Sequence, residues 1–270
     1  MRSVVQSPVR AIRLGVARPI TNPLGPLVSR NDVLALSPIT MLDASDASSL
    51  TLGDFDRVSQ WNDLSGNGNH FTQATGTSQP VFSGKYIDFD GVDDYMTDAG
   101  SAASGVYNCM HDGTGGEAFV AYLHDGTPSQ GVLWDTGYGS SYVGAYMRTR
   151  NTDEVDYATF RGTGGNINLS LSTTNIAPQD TKLVYNARYD ATASPIFTLD
   201  VNDTIYNTMD FTSATPPVDS NHTYDMNLGA YSNIPSSYHH GRIYAVVWFD
   251  RILTTAERNI VKAYFQELMS

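Results

Sequence analysis

Apolar and polar residues alternate along most of this chain with a period of two, in short runs separated by turn-forming residues. The pattern predicts strands at Val58–Trp61, Tyr86–Phe89, Ala118–Leu123, Gly131–Trp134, Tyr142–Arg148, Asp156–Phe160, Ile167–Leu171, Lys182–Tyr189, Ile196–Val201 and Met226–Ala230. A first strand is expected from Val33, Leu34, Leu36, Ile39 and Met41. Asp125-Gly126, Gly137-Tyr138-Gly139, residues 162–165 and Asn202-Asp203 punctuate the later runs, the last pair as a hairpin turn. The period changes near the C-terminus. Ile243, Ala245, Val247 and Phe249 fall on one face of a strand, and Tyr244, Val246 and Trp248 on the other. Both faces are apolar, which predicts an interior strand. Thr254 to Glu257 forms a capping box, and Ile260, Val261, Tyr264, Phe265 and Leu268 follow at helical spacing. Many short strands with one late helix predict two packed antiparallel sheets rather than alternating strands and helices.

Residues 1–38 have a different pattern. Pro8, Pro19, Pro23, Pro26 and Pro38 break any long helix, and short apolar pairs alternate with arginine. The segment is too short for its own core and too apolar for a purely solvated tail. It is expected to be an extended arm that orders against a partner chain, followed by a single domain over 39–270.

Charge strengthens this division. The first 30 residues carry Arg2, Arg10, Arg13, Arg18 and Arg30 and no acid, whereas the chain as a whole has 16 basic and 28 acidic residues. An acidic body argues against nucleic acid as the main partner. The arginines of the arm are spaced rather than clustered, and they read as contacts to another protein. No apolar run is long enough to span a membrane, and no apolar core follows the N-terminal arginines, so neither a span nor a secretory signal is predicted. The one cysteine, Cys109, cannot form an intramolecular disulfide and is expected as a small buried side chain.

Three ordered pieces carry a family resemblance. Residues 58–70 run Val-Ser-Gln-Trp-Asn-Asp-Leu-Ser-Gly-Asn-Gly-Asn-His; residues 86–95 run Tyr-Ile-Asp-Phe-Asp-Gly-Val-Asp-Asp-Tyr. The third is the strand and helix at 238–268, with its Arg251-Ile252-Leu253-Thr254 and Glu257. Together they resemble LamG-like jelly-roll domains of the concanavalin A-like lectin and glucanase superfamily, over roughly residue 34 to the C-terminus. The resemblance implies an all-β, two-sheet antiparallel jelly-roll sandwich with a short C-terminal helix. Its members include lectins, enzymes and virion proteins, so it leaves function open.

The resemblance also implies that the loops holding Asp63, Asp90, Asp93 and Asp94 lie near each other, as a rim that binds calcium in some LamG-like domains. Calcium takes 6–8 oxygen ligands, which clustered aspartates and loop carbonyls can supply. The alternative is turn chemistry, with each carboxylate bonded to its own backbone. Glu154-Val155-Asp156 resembles the catalytic strand of some glycosidases of the superfamily, but the second glutamate is missing. The remaining glutamates, Glu117, Glu257 and Glu267, offer no partner by pattern, and no catalytic activity is expected. His239-His240 should point opposite ways, and His111, His124 and His222 are scattered, which argues against zinc. Tyr138, Tyr142, Tyr146, Tyr231 and Tyr238 sit in or beside Gly/Ser/Asn loops and are expected to contact glycan or protein.

From these features the expected role is structural. The chain would be a bacteriophage virion component, a head decoration or tail appendage, assembled in the bacterial cytoplasm. The arm would hold other virion proteins, and the jelly roll would face outward, as a homo-oligomer. The alternative is a carbohydrate-binding module for host-surface glycans.

Overall fold

The computed structural model describes residues 27–112, 115–125, 130–137, 142–150, 154–161, 166–171, 180–193, 196–202, 204–209 and 220–270. Tyr138 and four of the arm arginines, Arg2, Arg10, Arg13 and Arg18, lie outside them. Among the described residues the strands, in order, are β1 (Thr40–Asp43), β2 (Leu50–Leu52), β3 (Val58–Trp61), β4 (Phe71–Thr72), β5 (Val81–Phe82) and β6 (Ile87–Asp90). They continue with β7 (Met96–Asp98), β8 (Gly115–His124), β9 (Gln130–Asp135), β10 (Val143–Arg150), β11 (Glu154–Arg161) and β12 (Asn166–Leu171). The last are β13 (Lys182–Asp190), β14 (Phe197–Val201), β15 (Thr204–Met209), β16 (Met226–Leu228) and β17 (His240–Phe249). The α-helices are α1 (Arg30–Leu34), α2 (Ser101–Ser104) and α3 (Thr255–Leu268). No described helix is long and apolar enough to cross a membrane.

The strands form two antiparallel sheets packed as a jelly-roll sandwich. One runs β15-β14-β13-β8-β17-β6-β5, with β1 also paired to β17; the other runs β12-β11-β10-β9-β16-β7-β4-β3-β2. Between them lies a core rich in aromatic residues. Trp248 is its hub, with Tyr107, Phe71 and Trp134 at ring-centroid distances of 5.2, 6.1 and 6.4 Å. Buried hydroxyls find partners there, as they must in a low dielectric. Tyr122 donates to Tyr185 at 2.6 Å, and Tyr107 donates to Asp98 at 2.9 Å.

The outer face of the first sheet is closed by α3. Phe119, Ala121, Val247 and Phe249 meet Val261, Tyr264 and Phe265 of the helix. The capping box forms as expected: the Thr254 Oγ accepts from Glu257 N–H, and the Glu257 carboxylate accepts from Thr254 N–H at 2.7 Å.

Two expectations are corrected here. First, strict alternation along β17 fails at its N-terminal end. Against β8, Ile243 pairs with Tyr122 and Ala245 with Ala121, so Tyr244 is an extra, bulged residue. Ile243 therefore joins Val246 and Trp248 in the sandwich core, while Tyr244 joins Ala245, Val247 and Phe249 under the helix. Second, residues 28–36, grouped with the arm, pack on the domain. Residues expected to open a strand form α1, because the Asp32 carboxylate accepts from both Ser29 N–H and Ser29 Oγ at 2.7 Å and closes the first turn. Val33 is fully buried in the layer beneath α3, with Val28, Leu34 and Leu36 beside it. Arg30, grouped with the arm, is instead bound within the domain. Its guanidinium donates to Asp46 at 2.6 Å and lies 3.7 Å from Asp43.

Candidate functional site

The two aspartate loops that the resemblance places together have different fates. Asp63 is saturated. Its Oδ1 accepts from Met41 N–H and Ser65 N–H, both at 2.9 Å. Its Oδ2 accepts from Ser65 Oγ at 2.7 Å, Gly68 N–H at 3.1 Å and Asn69 N–H at 3.2 Å. This carboxylate pins the 63–69 turn to β1 and has no lone pair left for a cation. Asp63 is therefore removed from the expected calcium set.

Asp90, Asp93 and Asp94 do converge, with ligand oxygens all within 4.8 Å of one another. They follow β6 through a tight turn. Asp90 Oδ1 accepts from Val92 N–H at 2.8 Å, and Gly91 takes φ 74°, where a Cβ would sit 2.7 Å from the His240 Cβ. Asp93 accepts from Ser78 Oγ at 2.9 Å. Asp94 is only 3% exposed; its Oδ2 accepts from Asp90 N–H at 3.0 Å, and its Oδ1 is buried with no hydrogen-bond partner. Burial, with Asp90 and Asp93 adding to it, pushes the Asp94 carboxyl up to about 6. An orphaned carboxylate oxygen among three converging acids fits an oxygen-seeking divalent cation.

Beside this cluster runs a cleft of about 300 Å³ lined by Arg57, Asp88, Asp90, Asp94, Asp125 and His240. His240 and Arg242 lie 3.6 and 3.1 Å from Asp125. A second groove of about 480 Å³ shares Arg57 and is lined by Asp54, Phe55, Thr75, Thr77 and Gln79. Arg57 is fixed between the two: its Nη1 donates to the Gln79 carbonyl at 2.8 Å and the Thr77 carbonyl at 3.3 Å. Phe55 is 87% exposed and holds φ 60°, ψ 33°, and Asp56 follows at φ 58°. A bulky side chain in the left-handed region is a strained choice, and here the ring is turned into solvent beside hydroxyl and amide groups. Phe55 was not singled out in the sequence; the signal was an aromatic set between two aspartates in the Gly53 to Arg57 turn.

The predicted tyrosine contacts are largely displaced from the surface. Tyr146 and Tyr231 are 2% and 3% exposed and pack with Val132, Ala158 and Phe160 on the outer side of the second sheet. The Arg148 guanidinium lies 4.8 Å from the Tyr146 ring centre and pairs with Asp156 at 2.8 Å. Tyr146 on β10 and Tyr231 in the segment after β16 both close into this packed layer. Tyr142 packs edge-on to Tyr224, and Tyr238 packs near Tyr95 while its hydroxyl donates to the Pro235 carbonyl at 2.8 Å. These two stay half-buried.

The remaining candidates resolve simply. Asp156 is held by Arg148 and, at 3.4 Å, by Arg150, and the Glu154 side chain lies outside the described residues. Glu117 is fully buried and paired with Arg258, and Glu257 is engaged by Arg251. His239 is buried and His240 exposed, as adjacent strand residues should be. His111 and His222, expected to be scattered, meet edge to face at 6.5 Å, each bonded to a backbone carbonyl. Burial pushes His111 down to about 4, so it is neutral at pH 7. Cys109 packs against the core, and burial pushes its thiol up to about 12.

The architecture defines a class by fold: a two-sheet antiparallel jelly roll. No protein-family model matches the sequence, and no curated protein does. Among solved structures, a Trypanosoma rangeli sialidase in complex with sialic acid aligns over 86% of this chain and 34% of its own, at 11% identity and TM-score 0.56. The binding domain of botulinum neurotoxin DC in complex with SialylT aligns over 87% and 52%, at 12% identity and TM-score 0.55. The CBM40 of a Ruminococcus gnavus IT-sialidase, bound to α2,3-sialyllactose, aligns over 54% and 81%, at 14% identity and TM-score 0.45. The chain thus spans about a third of the first protein and about half of the second. At such identities the likeness is one of fold.

Proposed function

We propose that this chain is a glycan-binding jelly-roll module whose saccharide lies in the groove between the Gly53 to Arg57 turn and residues 75–79. The observation that carries this reading is Phe55, an aromatic ring 87% exposed, beside a groove with Thr75, Thr77, Gln79 and Asp54 in its walls. An aromatic face packs against the C–H face of a sugar, and flanking polar groups bond its hydroxyls. The fold supports the reading, since the sialidase and toxin domain of like architecture are solved with sialic acid and SialylT. Asp90, Asp93 and Asp94 hold a calcium ion at the neighbouring rim. Bound there, the ion would neutralise the acidic cleft and stiffen the loop that follows β6.

The virion role ranks second. It rests on an arm whose residues 1–26 lie outside the described residues, while residues 28–36 pack on their own domain. The two roles are compatible in a tail appendage that recognises a host surface.

The test is a glycan array probed with the full chain, followed by titration of the best binder. Phe55→Ala should weaken binding about tenfold or more, a loss of about 1.4 kcal/mol. A chain that binds no saccharide on the array, or a Phe55→Ala variant that binds as tightly as the parent, would sink the proposal.

A further inference from the structure

The outer face of the first sheet carries a second feature, at the opposite end of β8 from the rim. Glu117 of β8 sits across from Arg188 of β13, and Arg188 sits across from Thr198 of β14. The first two turns of α3 lie over this row and leave a groove of about 420 Å³, lined by Arg188, Thr198, Asp200, Thr255, Asn259 and Lys262. Two acids and three bases meet here, and the two acids are taken. Glu117 accepts from Arg258 at 2.7 Å, from Leu253 N–H at 2.9 Å and from Asn186 at 3.2 Å. Asp200 lies 2.9 Å from the Lys262 ammonium.

Arg188 is the third base. Its Nη2 donates to Thr198 Oγ1 at 2.8 Å, while its Nε is buried without a hydrogen-bond partner. Among the described residues no carboxylate pairs with it within 4.0 Å. Glu117 across the strand feels the charge of Arg188, but that carboxylate is already bonded to Arg258, so the row holds one more base than acid in a chain whose net charge is −12. Guanidinium is the side chain best matched to planar and tetrahedral oxyanions. Thr198, Thr255 and Asn259 add hydroxyl and amide groups to the same walls.

We propose that this groove binds the oxyanion of an acidic saccharide unit, a carboxylate or sulfate group, with Arg188 as its ion-pairing donor. The site is separate from the rim groove and would let one domain engage a charged glycan at two points.

Calorimetric titration of the full chain with glucuronate, glucose and inorganic sulfate tests this. Glucuronate and sulfate should bind saturably and glucose should not compete with either. Arg188→Gln should weaken both by about tenfold or more. Asn259 is exposed on α3, so Asn259→Glu keeps the fold and sets a carboxylate at the groove; it should weaken both probes as well. Equal affinity in the parent, Arg188→Gln and Asn259→Glu overturns the proposal, as does the absence of saturable binding by either probe. Sulfate binding without glucuronate binding overturns the saccharide as ligand.

Discussion

Two aspartate-bearing turns in this protein use their carboxylates in opposite ways. The 63–69 turn has one aspartate among two glycines and two asparagines, and the 90–94 turn has three aspartates and one glycine; both are short and set at strand ends. In the first, Asp63 accepts five hydrogen bonds, from β1 and from its own turn. In the second, Asp94 accepts one, and its other oxygen is buried without a partner. The first carboxylate is a structural pin; the second keeps one oxygen that no donor reaches. Aspartate content alone does not say which carboxylate oxygen is spent. The number of backbone and hydroxyl donors within reach of each oxygen does.

Removing the pin should have the largest effect. Asp63→Ala leaves four backbone N–H groups without their acceptor, and a loss of about 4 kcal/mol is expected in urea unfolding. A change under 1 kcal/mol would dissolve the contrast. Next comes the pH response of Asp94. Its folded value of about 6 lies above its unfolded value of 3.8, so the folded state holds the proton more tightly. The associated stabilisation is present below pH 4 and lost as pH rises through about 6, amounting to at most about 3 kcal/mol. Asp98 and Asp135, both pushed up to about 6 by burial, act in the same direction. The melting temperature of the calcium-free chain should therefore fall between pH 4 and pH 7, and Asp94→Asn should flatten part of that slope.

Calcium should then take the proton's place. At pH 7 and about 100 times its dissociation constant it should add about 2.7 kcal/mol, read as a rise in melting temperature that EDTA reverses. The rise should shrink below pH 6, as Asp94 protonates, and vanish in Asp94→Asn while persisting in an Asp54→Asn control. The smallest effect on stability belongs to the proposed glycan platform. Phe55→Ala should stay within about 0.5 kcal/mol of the parent, because the ring is exposed and supports no core.

The sandwich itself was written in the local pattern. Period-two runs marked most of the strands, and Thr254 with Glu257 marked the helix start, because those signals depend only on near neighbours. The loop at 90–94 was also visible, since its motif travels as a contiguous stretch. Less of the site was legible. Tyr146 and Tyr231, in or beside Gly/Ser/Asn loops, were expected as surface contacts, yet packing on the second sheet closes them into an aromatic layer with Arg148. Phe55 and Arg188 passed unnoticed because neither belongs to a pattern. Phe55 stands out only by being exposed, and Arg188 only through the row of Glu117 and Thr198 on neighbouring strands.

By itself the sequence determined that this chain would be two antiparallel sheets with a closing helix, because hydrophobic periodicity and capping are local and each residue carries its own part. Only the tertiary structure decided which aspartate is spent and which is left open, where the bulge at Tyr244 flips the first residues of β17, and which arginine keeps a buried Nε without a hydrogen-bond partner. Each of those outcomes depends on partners distant in the chain. A hydrogen bond or ion pair is satisfied or not by whatever the fold brings within about 3 Å of it.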